Sequence, residues 1–276
     1  MKWTKGLRDT FVYRSLKFIL AILGRSEYPL PFSKTEPAEP YLERAIHHVG
    51  KSPDPSRFDE QFYTYFSEIY GPEQILQRQY AIYIEYIPKG KNQPFLDVGC
   101  GAGEFIAFLD EHGVKAHGID SNPNEVERAK CKGLDVQEAD ALTFLKTFNS
   151  YFSGISMFEV IEHIPPESLP DLISAIYHAI IPGGVVLLET INAKNPLAFH
   201  VFYTDPTHTR PVPSDFLVFL LQWVGFANIR IIYSLPNSVT YEQSRDSSRA
   251  YFDYALIASK RRFVWDKLFI QSNRSS

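Results

Sequence analysis

From Pro94 onward, short apolar runs of strand length alternate with stretches of helical periodicity, the pattern of a parallel sheet covered by helices. Phe95 to Val98 reads as a first strand, Glu104 to His112 as a helix and Lys115 to Ile119 as a second strand. Asn124 to Lys132 is expected to be helical, Asp135 to Glu138 a short third strand and Gly154 to Phe158 a fourth. Ser168, with Asp171 three residues on, has the form of a helix cap, so a helix should run to about Ile180. Pro182-Gly183-Gly184 breaks that helix, and Val185 to Ile191 follows as strand five. Beyond Gly225, Ile229 to Tyr233 and Tyr254 to Ser259 supply two last strands. The chain shows no internal repeat.

Upstream the pattern differs. Leu7 to Leu23 mixes Arg8, Arg14 and Lys17 with Phe11, Val12, Leu16, Ile19, Leu20 and Leu23 at helix-like spacing. A helix docked on its own protein is expected there, with contact to a membrane surface as the alternative. Prolines recur among charges and aromatics from Tyr28 to Pro55, which implies an extended, loop-rich connector. Pro72 to Ile87 is helical in pattern until Pro88 and Gly90 end it. The expected organisation is an N-terminal helical and loop extension over 1–74, an α/β domain over 75–260 and a tail over 261–276.

Composition narrows the function classes. A chain of 276 residues suits one α/β domain with an added region and buries enough surface to need no covalent staples. Its two cysteines, Cys100 and Cys131, have no metal-ligand spacing, so a reducing compartment is expected. A net charge of −4 provides no field for phosphate backbones, and no nucleic-acid partner is expected. The apolar run Phe18 to Leu23 is far short of a membrane span, so the chain reads as soluble and cytoplasmic.

Chemistry concentrates in three segments. In Asp97-Val98-Gly99-Cys100-Gly101-Ala102-Gly103 a strand ends in a glycine turn that opens a helix, where backbone NH groups converge and side chains would obstruct a ligand. A dinucleotide fingerprint wants a third glycine at 104, which is glutamate here. The G-x-G-x-G spacing after Asp97 instead resembles motif I of class I methyltransferases that use S-adenosylmethionine (SAM). An acid at Asp97 holds the loop or faces the cofactor's ammonium group. The resemblance places Asp120 on both ribose hydroxyls and Asp140 on the adenine amino group, at the ends of consecutive strands. The segment Tyr70 to Gln79 resembles the helix preceding motif I in bacterial surface-polysaccharide methyltransferases, which assigns Arg78 to the cofactor carboxylate. The implied cofactor set is Arg78, Asp97, Gly99, Cys100, Gly101, Gly103, Asp120, Ser121, Asp140, Ala141 and Phe158.

The second segment, Phe158-Glu159-Val160-Ile161-Glu162-His163-Ile164-Pro165, puts two carboxylates and an imidazole where the methyl group should point. Such a segment often only shapes the pocket. It also resembles the E-x-x-E-H pattern of ubiquinone-biosynthesis and small-RNA 2′-O-methyltransferases, which bind a divalent ion with a later histidine. The resemblance implies Mg²⁺ or Mn²⁺ on Glu159, Glu162, His163 and His208. His208 lies in the third segment, Tyr203-Thr204-Asp205-Pro206-Thr207-His208-Thr209-Arg210-Pro211, which resembles sugar and O-antigen methyltransferases.

The expected fold is therefore the Rossmann-like, seven-stranded class I sheet with its last strand antiparallel, and an N-terminal helical cover. The expected activity is O-methylation of a sugar hydroxyl in glycan or glycosylated-metabolite synthesis, with His163, His208, Glu159 and Asp205 as catalytic candidates. Alternatives are a phenolic or quinone-type acceptor, a phosphate paired with Arg210, or a silent SAM-binding subunit.

Overall fold

The computed structural model describes residues 41–54, 56, 60–67, 79–236 and 247–261. The expected helix over 7–23, residues 28–40 of the proline-rich connector, Arg78 and the tail beyond 261 lie outside them, and the described part of the connector is not extended throughout but carries a helix over Tyr41–Val49, in a stretch without proline. The chain divides into two compact units, 1–41 and 42–276, and the second contains the whole sheet.

Seven strands form that sheet: β1 (Phe95–Val98), β2 (Ala116–Asp120), β3 (Val136–Glu138), β4 (Phe152–Phe158), β5 (Ile180–Ile191), β6 (Phe226–Pro236) and β7 (Tyr251–Lys260). Their order is β3-β2-β1-β4-β5-β7-β6. Neighbours pair in parallel except β7, which runs antiparallel to both β5 and β6. This is the Rossmann-like methyltransferase fold. The helices are α1 (Tyr41–Val49), α2 (Glu60–Ser67), α3 (Glu104–Glu111), α4 (Pro123–Cys131), α5 (Ala141–Leu145), α6 (Leu169–Ala179), α7 (Ala198–Thr204) and α8 (Ser214–Val224), with a helical segment over 79–83.

The central strands are buried on both faces, which is why they read as apolar runs without alternation. On one face Leu96, Val98, Ile155, Met157, Val186 and Leu188 pack under α6 and α8. On the other Phe95, Ala116 and Val136 meet Phe105 and Leu109 of α3, Val126 and Ala129 of α4, and Tyr80. No helix among the described residues is long and apolar enough to cross a membrane.

Two local expectations change. Ser168 makes no side-chain cap bond: it has helical backbone angles, and Pro170 in the first turn starts α6 without it. Pro182-Gly183-Gly184 does not break the helix, which already ends at Ala179. β5 begins at Ile180 and carries the three residues as a bulge, pairing Phe152 with Ile180 and Gly154 with Val185. Gly184 permits this, since a Cβ there would lie 2.6 Å from the Ser153 carbonyl oxygen.

Candidate active site

The carboxyl ends of the parallel strands gather the sequence's candidate residues. Gly99, Gly101 and Gly103 all have left-handed backbones, with φ of 72°, 51° and 83°. A Cβ on Gly99 would overlap Val160, whereas one on Gly101 would meet nothing within 4 Å. The turn is thus closed against Val160, just beyond β4, and open at Gly101. Asp97 is buried and accepts a 2.6 Å bond from Ser156 Oγ, fastening β1 to β4 beneath the turn. Burial pushes its carboxyl up to about 7, opposed by the Ser156 bond. Cys100 is a small buried filler whose thiol burial pushes up, away from thiolate chemistry.

Asp120 ends β2 and holds the turn directly. Its Oδ2 accepts from Gly101 N at 2.9 Å and its Oδ1 from Asn122 N at 2.7 Å. Each oxygen has a second lone pair with which to accept from a ligand hydroxyl. Burial raises this carboxyl and the backbone bonds oppose that rise. Ser121 beside it is exposed. Asp140 is exposed too, and its Oδ1 caps α5 at Thr143 N (2.8 Å), just before Ala141. Bonds from the Thr143 side chain and backbone hold its carboxyl below the usual range. Phe158 stands over Phe105, Tyr80 and Tyr83, with ring centroids 4.6, 5.2 and 5.7 Å away.

The acceptor side is built from two loops. Glu159 follows β4 with φ 52°, a backbone uncommon outside glycine. Glu159 is solvent-accessible, with protein packed closely around its carboxyl. Burial, with the charges of Glu162, Asp253 and Glu189, holds its carboxyl well above the usual range. The single helical turn Ile161–His163 then presents Glu162 and His163. Glu162 is fully buried. Its Oε2 accepts from Thr190 Oγ1 at 2.7 Å, and its Oε1 has no hydrogen-bond partner.

Opposite lies the loop after α7, organised by buried Asp205. Asp205 Oδ1 accepts from Thr207 N at 2.8 Å and Thr207 Oγ1 at 2.6 Å. A threonine hydroxyl has one proton, and this one is given to the carboxylate. The 2.9 Å contact between Thr207 Oγ1 and His163 Nδ1 must therefore be donated by the imidazole. His208 Nδ1 lies 2.6 Å from the Phe202 carbonyl oxygen, which only accepts, so it too carries its proton on Nδ1. Burial, with His208 nearby, lowers the pKa of His163 against the opposing pull of Glu162 and Asp205, keeping it neutral at pH 7. With Nδ1 occupied by these bonds, Nε2 is the nitrogen each ring has left to offer, and the ring centroids are 4.6 Å apart.

One atom from each of Glu162, His163 and His208 falls within 4.8 Å of the others. These are three of the four ligands expected from the sequence. Glu159 is not in that set, although its carboxyl meets the Glu162 side chain. Asp205 reaches the His163 imidazole through Thr207 and lies 4.0 Å from His208 Nε2. Arg210 is exposed over the ring of Phe216, 5.5 Å from its centroid.

Several residues had escaped the sequence reading. Tyr63 donates to Asp205 Oδ2 at 3.3 Å and meets His163 edge-on. Below the site Glu189 accepts from Gln79, Tyr83 and Ser234, and Asp253 faces Ile191 across the β5–β7 pair. Burial and the charge of Glu162 push Asp253 up to about 7. A lone acid inside an apolar strand, as in Leu187-Leu188-Glu189-Thr190-Ile191, is the signal that would have found the last two.

A family model described as a methyltransferase domain matches residues 73–231. A ubiquinone biosynthesis O-methyltransferase of Xylella fastidiosa (strain 9a5c) is 27% identical over 164 residues, 55% of this chain and 65% of that protein. Its counterpart in Pseudomonas entomophila (strain L48) is 32% identical over 38% of this chain and 46% of its own length. The chain thus spans about half to two thirds of these relatives. A SAM-dependent methyltransferase structure from Archaeoglobus fulgidus superposes with a TM-score of 0.65 at 27% identity, covering 72% of this chain and 99% of that one. A Haemonchus contortus phosphoethanolamine N-methyltransferase 2, solved with SAM, shares the fold at a TM-score of 0.58 and 16% identity, over 85% of this chain and 62% of its own.

Proposed function

The chain belongs to the methyltransferase-domain family and is a SAM-dependent methyltransferase, and we propose that it methylates a hydroxyl of a sugar-containing acceptor. The convergence of a carboxylate oxygen of buried Glu162 with one ring nitrogen each of His163 and His208 carries this reading.

SAM supplies a methyl group already activated on a sulfonium, so the protein's task is alignment and proton removal. Gly99 to Gly103 leave the open cradle, and Asp120 fixes it through Gly101 while keeping lone pairs for ribose hydroxyls. Asp140 takes the adenine amino group in this assignment, Ala141 and Phe158 belong to the same cofactor set, and Arg78 takes the carboxylate. An alcohol needs its proton taken as the new bond forms. The Nε2 of His163, neutral at pH 7 and oriented by Thr207, is placed to accept it, with His208 beside it. Glu159 and Asp205 border the same space.

The three donors also fit a divalent cation. A buried carboxylate oxygen without a partner and two Nε2 lone pairs fixed by Nδ1 bonds are what a ligand set requires. Two imidazoles with one carboxylate suit Mn²⁺ better than the all-oxygen preference of Mg²⁺. Glu162, His163 and His208 would hold the ion, which would lower the acceptor hydroxyl's pKa and favour adjacent oxygens.

The sugar reading is supported by the polar loop of Asp205, Thr207 and His208. The similarity to ubiquinone biosynthesis O-methyltransferases favours a second reading, a phenolic acceptor with neighbouring hydroxyls. Nucleotide sugars and catechols offered in parallel with labelled SAM separate the two. Chelation should suppress transfer and Mn²⁺ restore it, and His208→Ala should cripple transfer while sparing SAM affinity. If transfer survives exhaustive chelation while His163→Ala still costs on the order of 10²-fold, the imidazole acts as a base without metal. If chelation and both histidine variants leave transfer intact, the cluster is structural.

A further inference from the structure

We infer that Tyr63 and Thr64 are positioning residues that clasp the cofactor loop to the acceptor loop, so that cofactor occupancy tightens the segment holding the catalytic imidazoles. The inference rests on the SAM assignment and not on the identity of the acceptor.

The two residues are consecutive on α2, which packs against α4, yet they engage different loops. Thr64 is buried and its Oγ1 accepts from Asn122 Nδ2 at 3.4 Å, while its side chain also bonds Glu125 on α4. Asn122 N donates to Asp120 Oδ1, and Asp120 Oδ2 accepts from Gly101 N. The glycine turn is therefore three hydrogen bonds from Thr64. On the other side Tyr63 donates to Asp205 Oδ2, Asp205 Oδ1 holds both polar groups of Thr207, and Thr207 Oγ1 accepts from His163 Nδ1. His163 is likewise three hydrogen bonds from Tyr63. Tyr65, the next residue, donates to the Lys51 carbonyl at 2.8 Å and anchors the helix from behind.

Neighbouring residues of one helical turn cannot shift independently. A ligand whose hydroxyls engage the remaining lone pairs of Asp120 fixes Asn122, and through Thr64 it fixes α2. Tyr63 then holds Asp205 and with it the tautomer of His163. The coupling is reciprocal, so whatever orders the acceptor loop strengthens cofactor binding by the same factor. The path is a set of named bonds whose removal is testable one by one.

The test is amide hydrogen exchange on the full chain, with and without S-adenosylhomocysteine as the probe. The reporters are the amides of Thr207, His208 and Thr209, which donate to Asp205 Oδ1, the Asp205 carbonyl and the Glu162 carbonyl. In the wild type the probe should slow exchange both at 99–103 and at 205–209, the latter by roughly fivefold or more, the lower end of ordinary site-to-site coupling. Tyr63→Phe removes one oxygen and keeps the ring, and Thr64→Ala removes the hydroxyl. Each should abolish the probe-dependent slowing at 205–209 while leaving that at 99–103 intact, and Thr64→Ser should restore it. A merely structural role would change exchange equally with and without the probe. Probe-independent exchange at 205–209 in the wild type, or full probe-dependent slowing in Tyr63→Phe, overturns the clasp. Loss of slowing at 99–103 in the wild type overturns the cofactor placement, and the clasp with it.

Discussion

Replacing Glu162 by Gln changes one atom of a fully buried side chain from a carboxylate oxygen to an amide nitrogen, at a position where the structure shows what each oxygen does. The oxygen that accepts from Thr190 Oγ1 at 2.7 Å is kept as the amide carbonyl. The other, Oε1, has no hydrogen-bond partner and becomes an NH₂ group on the residue that clusters with His163 and His208. A buried acceptor left unsatisfied costs about 1–3 kcal/mol. The charge on Glu162 also raises the carboxyls of Glu159, Glu189 and Asp253, so its removal relieves repulsion in the same direction. Glu162→Gln should therefore stabilise the metal-free protein by about 1–3 kcal/mol. At roughly 2–4 °C per kcal/mol for a domain of this size, calorimetry in EDTA should show a rise of about 2–12 °C. Saturating Mn²⁺ should reverse the order, raising the wild-type Tm by linkage and leaving the variant unmoved, because an amide nitrogen is no ligand. A variant that melts lower than the wild type in EDTA would refute the reasoning, since it would mean that Glu162 Oε1 already has a partner.

Asp120→Asn should weaken S-adenosylhomocysteine binding about 10- to 100-fold in titration calorimetry, since one of the NH donors of Gly101 and Asn122 must then face an amide NH₂; unchanged affinity in a folded variant would remove Asp120 from the cofactor site. Asp97 and Asp253, each pushed up to about 7, bind protons in the folded state that the unfolded chain, near 3.8, has released. In EDTA the stability should therefore fall as pH rises from about 4 to 7 and level off above that, and Asp253→Asn should make the fall shallower; melting curves across that range decide it. Lys260 Nζ donates to the Tyr177 and Ile180 carbonyls at 2.7 Å each, closing the end of α6, so Lys260→Met should lower the unfolding free energy by about 1–3 kcal/mol in urea titration, and an unchanged midpoint would show those carbonyls to be satisfied otherwise.

The limits of the sequence reading follow from where each signal resides. β1, β4 and β5 announce themselves because both their faces are covered, which forces apolar runs such as Phe95 to Val98 and Val185 to Ile191. α8 gave no comparable signal: Ser214-Asp215-Phe216-Leu217-Val218-Phe219-Leu220-Leu221-Gln222-Trp223-Val224 is apolar almost throughout, so no 3.6-residue period stands out even though Trp223 is 77% exposed. The acids assigned to the cofactor were legible because strand ends fix their place, and Asp120 needs only its neighbours Gly101 and Asn122. Tyr63 and Thr64 were not, since their partners lie 142 and 58 residues away and nothing local marks them. The acceptor chemistry falls between these cases. Glu162, His163 and His208 could be picked out as residue types, but a histidine is a ligand or base only if its lone pair faces the site. That depends on the single proton of Thr207 and on the carbonyl of Phe202, partners a residue pattern does not specify. Replacing Thr207 by Val would leave the E-x-x-E-H pattern intact while removing the acceptor that fixes the proton of His163 on Nδ1. In the proposed chemistry the pattern supplies the residue types, and the hydroxyl beside it decides which nitrogen is free to act.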